Sequence, residues 1–193
     1  MVRGPRPAAP AYLGEGPHAL WHVSEDPTIG RFEPHVPRTN PSATPAVWAI
    51  DTRHLPMFWF PRDCPRGCVW MSDRTSDADR TRFLGHSDAS RIHVIETAWL
   101  GQMCTTTLFA YRLPEESFVP HEHVGGYWVA DAPVEPVERR EVDDLVGRHG
   151  AAGIELRITP SIWPWWKAVA GSSLEFSGSR LRNASDHPDR FLD

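Results

Sequence analysis

The chain has 193 residues and a formal net charge of −5, with 40% hydrophobic and 23% charged residues. These proportions suit a globular fold with a sizeable core, and they exclude the basic stripe of a general nucleic-acid binder. Three cysteines are too few for a disulfide framework, and no apolar run nears the roughly 20 residues of a membrane helix.

Residues 1–17 are rich in Pro, Ala and Gly without periodicity and are expected to be a flexible lead-in. They lack the basic-then-apolar layout of a signal peptide, so a cytoplasmic location is expected. Residues 18–184 are expected to form a single α+β domain, and 185–193 a frayed tail. Leu20–Ser24 reads as a short strand, and Glu25-Asp26-Pro27 as a turn or helix start that buries Ile29 and Phe32. Pro34 to Pro45 holds four prolines and is a loop. Ala46–Ile50 is an unbroken apolar run, the pattern of a strand covered on both faces. Met57–Phe60 is the next strand candidate, ending at Pro61 so that Arg62 stands at its tip. Polar Ser72–Ser90 fits either a helix or a loop and reads as a surface excursion. Arg91–Glu96 and Thr105–Leu113 read as strands, as do Gly126–Ala130 and Val134–Val137 around a turn at Asp131-Ala132-Pro133. Val142, Leu145, Val146 and His149 then fall on one helical stripe, with Gly150 as its stop. Ile154, Leu156 and Ile158 alternate with polar residues as in a half-buried strand. Ser161–Trp166 opens a short helix with Pro164 in its first turn, and Leu174–Ser177 returns as a strand. Strands outnumber helices, which is an α+β pattern.

Several chemistries can be weighed on these elements. His121 and His123 share one face of an extended segment, and Cys64 and Cys68 add soft donors, a mixture zinc accepts. Cys-x3-Cys without a second pair favours a solvated histidine loop instead, and no metal is expected. No Gly-x-Ser-x-Gly elbow is present, and Cys64 reads best as a small buried side chain in a tight turn. Gly125-Gly126 precedes a strand rather than a helix, so it is no phosphate cradle. Nine tryptophans are many for this length. Trp59 and Phe60 border the arginine turn and suit a ligand with a ring and an anionic group, although core packing explains most single tryptophans. Trp163, Trp165 and Trp166 read as core or dimer surface. Arg62 has two open readings: a residue that locks the turn with Asp63, or a bidentate clamp for phosphate or carboxylate. Arg66 is close enough to share either role.

Two resemblances follow from these motifs. The span from about Leu20 to Ala184 resembles an uncharacterised bacterial family catalogued only as a domain of unknown function. Its hallmarks here are His22-Val23-Ser24-Glu25, Val47–Asp51, Pro61-Arg62-Asp63-Cys64-Pro65-Arg66 and Leu174–Asn183. More distantly, Leu20-Trp21-His22 with Ile29 and Phe32, followed by Met57–Arg62, is similar to the DNA-targeting ADP-ribosyltransferase toxins (the DarT group).

That second resemblance implies a mixed, split β-sheet core of the ADP-ribosyltransferase type with flanking helices. It implies NAD or a related nucleotide as co-substrate, His22 and Ser24 as ribose contacts, and Arg62 as the phosphate-steadying group. Trp59, Phe60 and Arg66 would line the same cleft. The catalytic glutamate of those enzymes falls on Gly126 here, and Glu122 is the nearby acid. The expected function is therefore nucleotide binding with possible ADP-ribosyl transfer, to an acceptor the sequence does not name. The alternatives are a non-catalytic nucleotide-binding module, or a zinc enzyme using His121 and His123. No membrane partner and no general nucleic-acid binding are expected.

Overall fold

A computed structural model describes residues 19–37, 41–121 and 126–185. In chain order the strands are β1 (Leu20–Ser24), β2 (Val47–Asp51), β3 (Arg66–Trp70), β4 (Arg91–Glu96), β5 (Leu108–Leu113), β6 (Val119–Pro120), β7 (Tyr127–Ala130), β8 (Glu138–Val142), β9 (Ile154–Thr159) and β10 (Glu175–Ser179). The α-helices are α1 (Asp77–Leu84), α2 (Leu100–Thr105), α3 (Leu145–Ala151) and α4 (Trp163–Ala170). The chain is mixed α+β with two sheets, and every strand pair is antiparallel except β4 with β9. It forms two compact units: one built from residues up to Trp59 and from Thr107–Val142, the other from Phe60–Thr106 and from Asp143 onward.

The first unit is a six-stranded sheet in the order β6-β7-β2-β1-β5-β8. Leu20, Val47, Ala49, Tyr111, Leu113 and Ala130 form its core, capped by Phe32, Phe118 and Val134. The segment after β1 is held by Tyr111, whose hydroxyl donates to the Asp26 carbonyl at 2.6 Å and accepts from the Ile29 N–H at 3.2 Å. Edge strand β8 is guarded by charge: Arg139 lies over Phe109 and Arg140 over Trp21.

The second unit is a four-stranded sheet in the order β10-β3-β4-β9. Val69, Ile92 and Val94 meet Phe83 and Leu84 of α1 and Ile162 and Val169 on one face. Helix α4 begins as its sequence predicts, with Pro164 in the first turn. Its indoles rest on glycines: a Cβ on Gly67 of β3 would overlap the Trp165 ring, and one on Gly178 of β10 would overlap Trp166. The tryptophan cluster therefore packs onto the core of its own unit. Glu96 is wholly buried and anchors two chain segments, accepting from the N–H of Ile162 and of Ser185.

Several expected elements take another form. Met57–Phe60 is not a strand: Leu55–Phe58 forms a 3₁₀ turn, because Pro56 presets its first residues and the Trp59 N–H bonds the Pro56 carbonyl. Arg62 therefore caps no strand, and the strand of this region is β3, beginning at Arg66. Ser72–Ser90 contains helix α1, nucleated by the Ser76 side chain accepting from the Asp79 N–H. Thr105 ends α2, so β5 starts three residues later than the apolar run suggests. Val134–Val137 makes a single bridge, Val134 to Phe32, and the strand is Glu138–Val142. Val142 closes β8, and α3 starts at Leu145 behind Asp144, whose side chain caps the Gly147 N–H.

Gly67→Ala or Gly178→Ala should force an indole off its strand, costing about 1–3 kcal/mol. Urea denaturation followed by circular dichroism reads this as a lowered midpoint with an unchanged slope.

Candidate functional site

In the first unit, β1 is hydrogen-bonded unequally on its two sides. Against β5 it pairs from Leu20↔Leu113 to Ser24↔Phe109, whereas against β2 the register stops at Trp21↔Ile50. Thr52 fastens the closed end. Its Oγ1 accepts from the Ala19 N–H and the Trp21 indole N–H, and its backbone N–H donates to the Ala19 carbonyl. At the open end, the Trp48 carbonyl is taken by the His22 ring, Nδ1 to oxygen 2.9 Å, instead of by a β1 backbone N–H. A carbonyl only accepts, so His22 Nδ1 carries the proton and Nε2 is the ring's acceptor in its neutral form. Strand alternation then turns the Val23 N–H and C=O, like those of Ala19, toward β2, where the ladder has ended.

The resulting fork holds a small cavity of about 80 Å³ lined by Trp21, His22, Val23, Trp48, Phe58 and Tyr127 among others. Aromatic rings brace it. Tyr127 meets Phe58 at 6.0 Å and Trp48 at 6.1 Å, both edge-on, while Phe32 packs on His22 at 4.7 Å. Trp48 and Tyr127 are also walls of a groove of about 980 Å³ that takes in His35, Val119, His121 and Val129. His121 stacks on Trp48 at 5.0 Å. The Trp48 indole N–H is buried and has no hydrogen-bond partner among the described residues. Ser24 lies beyond the fork, where its hydroxyl accepts from the Asp26 N–H and shapes the following turn.

The remaining sequence candidates fall elsewhere. Trp59 is wholly buried, and Phe60 is almost so. In the second unit Phe60 packs against a pair of buried histidines, 4.9 Å from His149 and 5.6 Å from His93. Arg66 is buried, lies over the Phe60 ring, and donates to the Cys64 carbonyl, so it locks the turn before β3. Arg62 is exposed on that turn. The turn is fixed through its carbonyls: Arg180 donates to Arg62 O and Asn183 to Asp63 O. Two stretches singled out in the sequence, Pro61–Arg66 and Leu174–Asn183, are thus joined. Glu122 and His123 lie outside the described residues. Among the described residues no three His, Cys, Asp or Glu side chains gather as a metal site.

The chemistry of the buried groups narrows the possibilities further. Burial pushes the Cys64 and Cys68 thiols up to about 12, so neither is a ready nucleophile. His149 donates from Nδ1 to the Leu145 carbonyl at 2.6 Å, and its Nε2 faces His93 Nδ1 at 3.0 Å. Burial lowers the His149 pKa to about 4; it also holds His93 well below its usual range, helped by His149, Arg91 and Arg66. Sequence reasoning passed over both histidines because each sits in an otherwise ordinary element. It also passed over Trp48 and Tyr127, whose role depends on where the β1–β2 ladder stops.

The class these features define is a mixed α+β protein whose six-stranded sheet is forked between its first two strands. Over residues 21–184 the chain matches a family of unknown function, DUF6886, and it belongs to that family. No curated protein and no solved structure matches it.

Both histidines are neutral in the fold and take protons more readily when unfolded. Their stabilising effect is therefore complete above pH 6.5 and lost as pH falls from there toward 4. The melting temperature should drop by several degrees across that window, and His149→Gln should flatten the slope. A flat profile between pH 7 and 4.5 would contradict the buried pair.

Proposed function

We propose that this protein binds NAD or a related nucleotide, with the planar ring of the ligand entering the fork between β1 and β2. The observation that carries this reading is the break in the ladder at His22. It leaves one residue's N–H and C=O, those of Val23, beside an aromatic cavity. A donor and an acceptor on a single residue complement a primary carboxamide such as that of nicotinamide. The cavity takes the edge of a ring, and the rest of the ligand would lie along Trp48, whose buried indole N–H needs an acceptor. Stacking of a base on such a side chain contributes roughly 1–3 kcal/mol. His22 is the ribose contact of this reading. This is the arrangement that the similarity to ADP-ribosyltransferases implies for the first strand, and the split sheet of that type is part of the proposal.

Transfer of ADP-ribose is the further step of the same reading. It needs a group that stabilises the cation-like ribose as nicotinamide leaves. Binding without turnover is the second reading, favoured by Gly126 at the position where those enzymes carry glutamate.

Differential scanning fluorimetry tests the binding. A site with a dissociation constant of about 0.1 mM gains roughly 2 kcal/mol at a few millimolar NAD, which raises the melting temperature by several degrees. Trp48→Ala should remove the shift, and Arg62→Ala tests the phosphate role implied for that residue. No shift of the wild-type protein at millimolar NAD would sink the proposal. Nicotinamide release, followed chromatographically, separates transfer from binding alone.

A further inference from the structure

Behind the fork lies a buried pair that the nucleotide reading does not use. Asp51 ends β2, and its Oδ1 accepts both the backbone N–H of His54 at 2.9 Å and the ring Nδ1–H at 2.7 Å. His54 is 2% exposed. Its ring lies against Gly126, close enough that any Cβ at that position would collide with it. Gly126 also has φ +83°, a conformation that favours glycine. The Asp51 N–H donates to the Gly126 carbonyl at 2.9 Å and closes the arrangement.

A tight turn after a strand has simpler solutions. Asn, Asp or Gly satisfies such a turn without burying an ionisable pair, which is costly to desolvate. What the imidazole adds is a rigid ring packed against Gly126 and fixed in orientation by Asp51. Each backbone it touches leads directly to a wall of the fork. Ile50 precedes Asp51. The 3₁₀ turn Leu55–Phe58, tied to His54 by the Met57 N–H to His54 carbonyl bond, ends in Phe58. Tyr127 follows Gly126. Phe58 and Tyr127 then meet edge-on, and Tyr127 meets Trp48.

We infer that His54, gripped by Asp51, is a positioning residue that sets the spacing of the fork walls Phe58, Tyr127 and Trp48. The inference rests on the fork being the ligand site, and its own readout needs no ligand. It also gives Gly126 a reason of its own: glycine is required there by the ring.

The test uses the full chain labelled with 5-fluorotryptophan, with the Trp48 ¹⁹F resonance assigned through Trp48→Phe. His54→Ala should remain folded by circular dichroism yet move or broaden the Trp48 resonance, and weaken NAD binding at least tenfold. His54→Asn, which places an N–H near the original Nδ1, should recover part of both. Should His54→Ala fail to fold, Asp51→Asn keeps the shape while weakening the grip, and it should show the same displacement of Trp48. A folded His54→Ala protein with an unmoved Trp48 resonance overturns the inference, as does an unmoved resonance in Asp51→Asn where His54→Ala does not fold. If wild type binds no NAD, the nucleotide reading fails, and the Trp48 resonance still decides the role of His54.

Discussion

The unequal pairing of β1 is the constraint on which the first unit depends. On one side the strand is fully laddered to β5, and on the other it is fastened only at its start, through Ala19, Trp21 and Thr52. An unmade ladder bond leaves backbone groups that need partners, so a protein keeps one only where something else meets the need. Here a side chain does part of that work. The His22 ring satisfies the Trp48 carbonyl where the register with β2 has ended. At its open end the His22 imidazole bridges the two strands, with Phe32 packed on that ring and β1 fully laddered to β5 on its other side.

The second unit solves a different problem, packing three large indoles of one short helix against a sheet. Glycine on two neighbouring strands makes the room, at Gly67 and Gly178, which share a register in the β3–β10 ladder. Facing the other way from Gly67 on β3, Cys68 pairs in register with His93, and the imidazole chain runs on to His149 and the Leu145 carbonyl. His93 Nδ1 donates to His149 Nε2 and His149 Nδ1 to the Leu145 carbonyl, which keeps both buried rings neutral, while His93 Nε2 has no hydrogen-bond partner among the described residues. The arginine turn belongs to this framework. Arg66 is buried within it, while Arg180 and Asn183 hold the carbonyls of Arg62 and Asp63.

Much of the chain was legible because its strands are locally distinctive. Leu20–Ser24, Arg91–Glu96 and Ile154–Thr159 are β-branched or aromatic runs with clear ends, and they fold as strands with those bounds. Met57–Phe60 carries the same signal, but Pro56 starts a 3₁₀ turn that consumes it, so apolar content reported burial and not conformation. Strand β3 was hidden for the opposite reason. Arg66, Gly67 and Cys68 look like a loop, and their suitability for a strand lies in what they face: Phe60, the Trp165 indole and His93. Of the candidate site, His22 was visible as a residue. Its action was not, because it depends on a missing pair between β1 and β2, and no local pattern encodes a missing pair.

Gly126 shows why a single position can mislead when a site is read by likeness. Set against enzymes that carry glutamate there, it looks like a loss. In this fold its φ of +83° and the His54 ring against its backbone leave no space for any side chain. The His54 ring, and not the absence of a carboxylate, accounts for glycine at this position. Asp51, the acid beside it, is committed to His54 through two hydrogen bonds to one oxygen. Among the described residues, the fork is lined by aromatic and aliphatic side chains of β1, β2, Phe58 and Tyr127, while the Asp51 carboxylate is engaged by His54. Such a lining suits the edge of a planar ring, which is the feature on which the proposed nucleotide binding rests.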